Sequence, residues 1–340
     1  MGDGTAALAT TGLALAAASA IAFSAKAIFV KLAFAASGVD AVTLLTLRML
    51  YAAPFYVVLL AWAGRAGPSP WTPRRLASVF GLGFVGYYLA SLLDFLGLMY
   101  ISAALERLVL FLYPTIVVLL SALILRRPIT RREAGALVLS YVGITVVMWQ
   151  DLGLRPQDDG LWIGCGLVFA SAIAYSIYLL GAPRLIAELG AIRFTAAAML
   201  VSSACAVLHF GVSRPISALR QPSEVQLLAV AMAVISTVLP TALLAAAIKR
   251  IGSGRTALIG SIGPISTIAL GYVVLDEPIG APQLCGAALV LAGVVLVSTG
   301  RPPTLIIVEP PAAPASSEAP EAVGTLASSD LDRARHSART

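Results

Sequence analysis

Charge is what this chain lacks most. Asp, Glu, Lys and Arg make up 12% of its 340 residues, whereas soluble domains carry roughly 25%. Half the usual charge cannot cover a water-facing surface, which excludes an ordinary soluble domain. Histidine is scarce too: of the two present, only His209 lies in the apolar body of the chain. A His-based metal cluster or catalytic triad is therefore not available, and no cofactor is implied. No G-x-x-x-x-G-K-[ST] occurs, which removes ATP hydrolysis by that route. The three cysteines, Cys165, Cys205 and Cys285, each fall inside an apolar run, which argues against a disulfide framework. Residues Met1–Thr11 contain no Lys or Arg. The basic region of a cleaved signal peptide is thus missing, and the first apolar segment is expected to be retained.

What the chain has in excess is apolar length. Hydrophobic residues make up 59% and the mean hydropathy is +0.91. About 20 apolar residues cross a hydrocarbon core roughly 30 Å thick. Ten runs qualify as candidates: 11–34, 41–63, 76–99, 103–125, 134–152, 160–180, 192–212, 225–247, 256–275 and 281–299. The expectation is an all-α integral membrane protein with ten transmembrane helices. The net charge of +6 would point to nucleic acid in a soluble protein; here it reads as cationic loops, with no nucleic-acid partner. The expected partners are the lipid bilayer and a small-molecule substrate, and a homodimer is left open.

Tyr100–Trp149 superposes without a gap on Arg250–Thr299 when shifted by 150 residues. Pro114 meets Pro264, Pro128 meets Pro278, and Gly143 meets Gly293. Ser19–Ser24 likewise recurs as Ser171–Ser176 at five of six positions. Five crossings per copy would invert the second copy in the membrane, the inverted-repeat plan of many secondary transporters. The expected organisation is a short N-terminal cytoplasmic segment 1–10, a first repeat 11–152, a linker 153–159 and a second repeat 160–299. The Pro-rich stretch 300–340 is expected to be a disordered cytoplasmic tail. With the N-terminus inside, eleven loop Lys and Arg residues fall on the inner side and three on the outer. That is the cytoplasmic enrichment expected of a multi-pass inner-membrane protein with both termini in the cytoplasm. Arg126, Arg127, Arg131 and Arg132 are topology determinants on this reading.

The Lys31-Leu32-Ala33 end of helix 1, Arg48 of helix 2, Tyr100–Ala104, Pro114, Pro264 and Asp276-Glu277-Pro278-Ile279 come in a telling order. Over about residues 10–299 the chain resembles the drug/metabolite transporter superfamily, EamA-type branch. The resemblance implies a secondary transporter, often an exporter of amino acids or other small metabolites, with a central cavity opened alternately to each side. Such families usually carry Glu at both inter-helix turns; Glu277 fits and Arg127 departs.

Charged side chains at mid-bilayer are costly, so each needs a reason. Counting depth at about 1.5 Å per residue places Lys31, Arg48, Asp94 and Glu106 in the outer third, where they either form a charge network or snorkel separately. Arg107 sits beside Glu106 near the start of the same helix. Lys26 is deeper, with no acid at its own level. It reads as a contact for a substrate anion, or as a lysine in a wet cavity. Ser24, Tyr175 and Ser176 on the duplicated phrase, Ser236, and the helix-interrupting Pro114, Pro240 and Pro264 with their neighbours Tyr113 and Ser261, complete the candidates for the cavity wall. Interhelical packing is the competing reading for the serines and plain helix bending for the prolines. The motif Gly81-Leu82-Gly83-Phe84-Val85-Gly86 matches G-x-G-x-x-G, but lies within an apolar run and lacks a βαβ context. A lipid-modifying membrane enzyme would need a cluster of acids or histidines at one face, and a scaffold subunit a large partner surface; neither is apparent.

Overall fold

The computed structural model describes residues 2–65, 71–126, 128–154 and 160–298. Arg127, residues 155–159 of the expected linker and the expected tail over 300–340 lie outside the described residues. Helices and their connections account for all described residues, and no strand occurs among them. Eight helical stretches are long and apolar enough to cross a membrane, and two shorter apolar helices follow, Ile262–Leu275 and Ala281–Val297. This is a multi-pass membrane protein.

In chain order the helices are α1 (Gly2–Ser37), α2 (Ala41–Gly64), α3 (Pro73–Gly83), α4 (Ala90–Leu98), α5 (Ala103–Leu110), α6 (Tyr113–Leu125), α7 (Arg131–Leu154), α8 (Gly160–Leu189), α9 (Ala191–Ser213), α10 (Ser223–Ala233), α11 (Leu239–Gly260), α12 (Ile262–Leu275) and α13 (Ala281–Ser298). The first residues extend α1 from Gly2, so the segment expected over 1–10 runs on into the first helix without a break. A π-helical turn over Phe84–Leu89 joins α3 to α4, and another over Val234–Val238 joins α10 to α11. These turns start 150 residues apart. So do the left-handed residues that end α6 and α12, Arg126 at φ 50° and Asp276 at φ 53°. The break at Phe111–Leu112 between α5 and α6 is matched at Ser261, between α11 and α12.

Local chemistry sets the helix starts. Asp40 caps α2, accepting from the Val42 and Thr43 N–H groups at 3.1 and 3.2 Å. Ser102 caps α5. The carboxylate of Glu277 lies against the same end, accepting from Ala103 N–H at 2.8 Å and Ala104 N–H at 3.3 Å. That meets donors which the first turn of a helix leaves free. Thr130 and Glu133 form a capping box on α7: each accepts from the other's N–H, at 3.2 and 2.9 Å.

Packing follows membrane rules, in which small residues let backbones approach. A Cβ on Gly143 would stand 2.6 Å from the Gly286 carbonyl oxygen, and one on Gly293 2.7 Å from that of Ala136. Each contact is the other shifted by 150 residues, so α7 and α13 meet along a seam that repeats itself. The G-x-G-x-x-G stretch does the same work. A Cβ on Gly83 would stand 2.8 Å from Ala198 O of α9, and one on Gly86 would run into the Tyr178 ring of α8. The sequence motif is a packing surface.

Candidate functional site

A cavity of about 290 Å³ lies between elements of both halves of the chain. Its charged wall comes from Lys26 of α1, Arg48 of α2, Asp94 of α4 and Arg107 of α5. Its uncharged polar wall includes Ser171 and Tyr175 of α8, Ser236 and Thr237 of the second π turn, Thr241 and Thr256 of α11. Phe23, Phe111 and Tyr113 add aromatic surface. The cavity touches both helix breaks, through Leu110, Phe111 and Tyr113 on one side and Gly260 on the other. A larger groove of about 740 Å³ opens between α3 and α8. On its rim Arg75 Nε stands 2.7 Å and Arg184 Nε 3.4 Å from the Glu188 carboxylate. The central cavity, whose charged side chains are buried among the helices, is the stronger candidate.

Lys26 is the hub. Its Nζ lies 2.6 Å from Asp94 Oδ2 and 3.3 Å from Glu106 Oε1. All three side chains are buried, Glu106 completely. This corrects the expected grouping of Lys31, Arg48, Asp94 and Glu106: the acids meet Lys26, which had seemed to lack an acid partner. Lys31 instead donates to Leu98 O at 3.2 Å, the last residue of α4, where a cation is favoured by the helix dipole. Arg48 stacks over Phe95 at 5.3 Å, yet its Nε and Nη1 have no hydrogen-bond partner. Arg107 lies 5.9 Å from the Phe23 ring centre, with its Nε unpartnered. Gly263 makes room for it, since a Cβ there would stand 2.8 Å from Arg107 Nη2.

Of the ten cavity candidates, Lys26, Tyr113, Tyr175 and Ser236 line the space. The Ser236 hydroxyl is buried without a partner. Ser24 and Ser176 are interhelical fasteners instead. Ser24 Oγ donates to Gly263 O at 2.9 Å, and Ser176 Oγ to Tyr113 O at 3.1 Å. Pro240 contributes its carbonyl, which accepts from Ser19 Oγ at 2.8 Å. Pro114, Ser261 and Pro264 sit at or just past the helix breaks rather than on the lining. Arg126, Arg131 and Arg132 are exposed. Sequence reasoning placed Arg107 near a helix start and gave it no role; its signal was adjacency to Glu106 in an apolar run. His209 is hydrogen-bonded through Nδ1 to Tyr88 OH at 2.7 Å, a structural pairing. No group of three or more metal-ligating side chains occurs among the described residues.

The EamA-like transporter family model matches twice, over residues 10–149 and 162–299. The chain therefore belongs to the EamA-like transporter family: it is a transmembrane transporter, a multi-pass permease of the drug/metabolite class. An uncharacterized transporter of Bacillus subtilis (strain 168), YcbK, is 30% identical over 291 residues, covering 82% of this chain and 89% of its own. A second from that organism, YyaM, is 24% identical over 226 residues, covering 66% and 74%. An uncharacterized transporter of Archaeoglobus fulgidus is 25% identical over 230 residues, covering 67% and 79%. One solved crystal structure shares the fold, with a TM-score of 0.58 at 18% identity, covering 84% of this chain and 96% of its own.

Proposed function

We propose that this chain is a secondary transporter that exports small metabolites, amino acids among them, by alternating access. The observation that carries the reading is the cavity, lined in part by charged side chains and touching both helix breaks. Discontinuous helices around a mid-membrane cavity are how secondary transporters present backbone groups and charges to a solute. Side chains that expensive to bury persist in a membrane where they line a solute pathway or a water-filled space.

The architecture we infer is ten transmembrane helices in two inverted repeats, over 11–152 and 160–299. The eight long spans supply most of the crossings; α12 and α13, though shorter, are apolar throughout. Supporting this are the features that recur at a 150-residue shift: the π turns, the helix breaks, the left-handed caps and the α7–α13 seam. The distribution of loop Lys and Arg supports both termini in the cytoplasm and insertion in the inner membrane. Rocking of one repeat against the other would expose the cavity to each side in turn.

Proteoliposomes containing the full-length chain test this. The expected result is saturable uptake or counterflow of at least one solute from a panel of labelled amino acids and organic acids. Flux no greater than in empty liposomes for every member would sink the proposal.

A further inference from the structure

We propose that Arg48 and Arg107 form a seat for the carboxylate of an anionic substrate. This inference rests on the transport reading above and names the class of solute. It begins with a mismatch of charge. The cluster holds three cations, Lys26, Arg48 and Arg107, and two acids, Asp94 and Glu106. Both acids are within ion-pair distance of Lys26. Among the described residues neither arginine has an ion-pair partner, and Arg48 Nε, Arg48 Nη1 and Arg107 Nε lack any hydrogen-bond acceptor.

A guanidinium cannot shed its proton to escape burial, as a lysine can. Arg48 is 6% exposed and Arg107 7%. What exposure they keep is to the cavity they line. The faces of Phe95 and Phe23 attract the guanidiniums through their rings, but a ring face accepts no in-plane N–H. In-plane donors on both guanidiniums are left without an acceptor, and the oxygens of an anionic group such as a carboxylate are the partners they lack. Gly263 keeps this arrangement accessible, because a side chain there would displace Arg107 Nη2.

The rest of the cavity indicates what the carboxylate is attached to. Phe23, Phe111 and Tyr113 offer ring surface, and Ser171, Ser236, Thr237 and Thr241 add hydroxyl-bearing side chains to the lining. A volume of about 290 Å³ lies at the small end of ligand pockets. The fitting solute is a small organic acid with an apolar or aromatic body. A phosphate would use the same donors, so the experiment separates the two.

The test uses the full-length protein in nanodiscs, with binding read by isothermal calorimetry. Probes are phenylacetate, benzoate and succinate, each with its uncharged amide or ester, plus inorganic phosphate. The expected result is that at least one carboxylate binds, and binds at least about tenfold tighter than its neutral analogue. Arg48→Gln and Arg107→Gln should each weaken it about tenfold or more, with Arg107→Lys recovering part of the loss. Equal binding of acid and neutral analogue, no binding of any carboxylate, or unchanged affinity in monodisperse Gln variants would overturn the seat. Phosphate binding in place of carboxylate would overturn the carboxylate assignment. If a Gln variant does not fold, the acid-against-amide comparison on the unaltered chain decides. Carboxylate binding lost in the Gln variants but without flux in proteoliposomes would sink transport and keep the seat. Flux of a neutral solute, insensitive to both substitutions, would do the reverse.

Discussion

The two halves of this chain agree in backbone and disagree in chemistry. The π turns start at Phe84 and Val234, and left-handed residues end α6 and α12 at Arg126 and Asp276. Yet the charged cluster has no copy. Under the same shift Asp94 becomes Leu244, Glu106 becomes Thr256 and Arg107 becomes Ala257; along the duplicated helix phrase Lys26 becomes Tyr178. The difference teaches that two jobs are separated here. The repeated backbone serves the movement proposed above, which needs two equivalent arrangements. On the carboxylate-seat proposal the unrepeated side chains would serve recognition, because a solute with one charged end needs a cavity with one charged wall.

The largest expected effect comes from cutting the cluster at its hub. Lys26→Met leaves Asp94 and Glu106 buried without the ammonium that both now contact. Removing one partner of a buried charge pair costs about 3–5 kcal/mol. The positional counterpart is Tyr178→Phe, which loses only the hydroxyl contact with Tyr87 OH at 3.0 Å, worth about 1 kcal/mol. Thermal unfolding of the two variants in detergent should show Lys26→Met far lower. Equal melting midpoints would mean that the cluster is not a specialised feature of the first half.

This asymmetry also explains what could be read in advance. The apolar runs announced the helices because crossing a bilayer demands length and hydrophobicity that nothing else in the chain mimics. The 150-residue match paired Pro114 with Pro264, which lie just past the breaks at Phe111–Leu112 and Ser261; the breaks themselves were not legible, because a proline in a helix reads equally as a bend. The identity of the hub was not legible. Depth counting placed Lys31 level with the acids and Lys26 below them. But five residues are about 140° of rotation on an α-helix, so the two lysines face different neighbours, and a lysine's long stem makes up much of the roughly 7.5 Å difference in depth. Only packing decides which one reaches Asp94. Arg107 was given no role for a related reason: its place beside Glu106 near a helix start does not say which way it faces, and the fold turns it inward over Phe23.

A second variant pair probes the agreement rather than the difference. Gly143 and Gly293 are counterparts, and each sits where a side chain would press on the opposing backbone, at Gly286 O and Ala136 O. Gly143→Ala and Gly293→Ala should therefore destabilise by similar amounts, about 1–3 kcal/mol each as overpacking. The check is the melting midpoint of each purified variant. A large effect from one and none from the other would break the claim that the seam between α7 and α13 is equivalent on both sides.

The smallest effect lies at the start of α2, where the halves part company again. Asp40 caps α2, while its counterpart Gly190, at φ 83°, starts α9 without a side-chain cap. Burial alone would raise the Asp40 pKa, but hydrogen bonds from Thr43 Oγ1 and N–H, together with Arg214, outweigh it and hold the value below 3.8. Arg214 Nε stands 3.3 Å from Asp40 Oδ1. A carboxylate whose pKa is depressed on folding adds stability above its unfolded value and loses it as pH falls through the folded one. Asp40→Ala should cost about 1 kcal/mol at neutral pH. Asp40→Asn, which keeps an acceptor and drops the charge, should cost less. The gap between Asp40→Asn and the unaltered chain should close as the pH is taken below 3.8. Melting curves from pH 7 down to about pH 2, through the depressed folded value, measure it. A gap that stays constant would mean that the charge contributes nothing and that the side-chain oxygen alone distinguishes the start of α2 from that of α9.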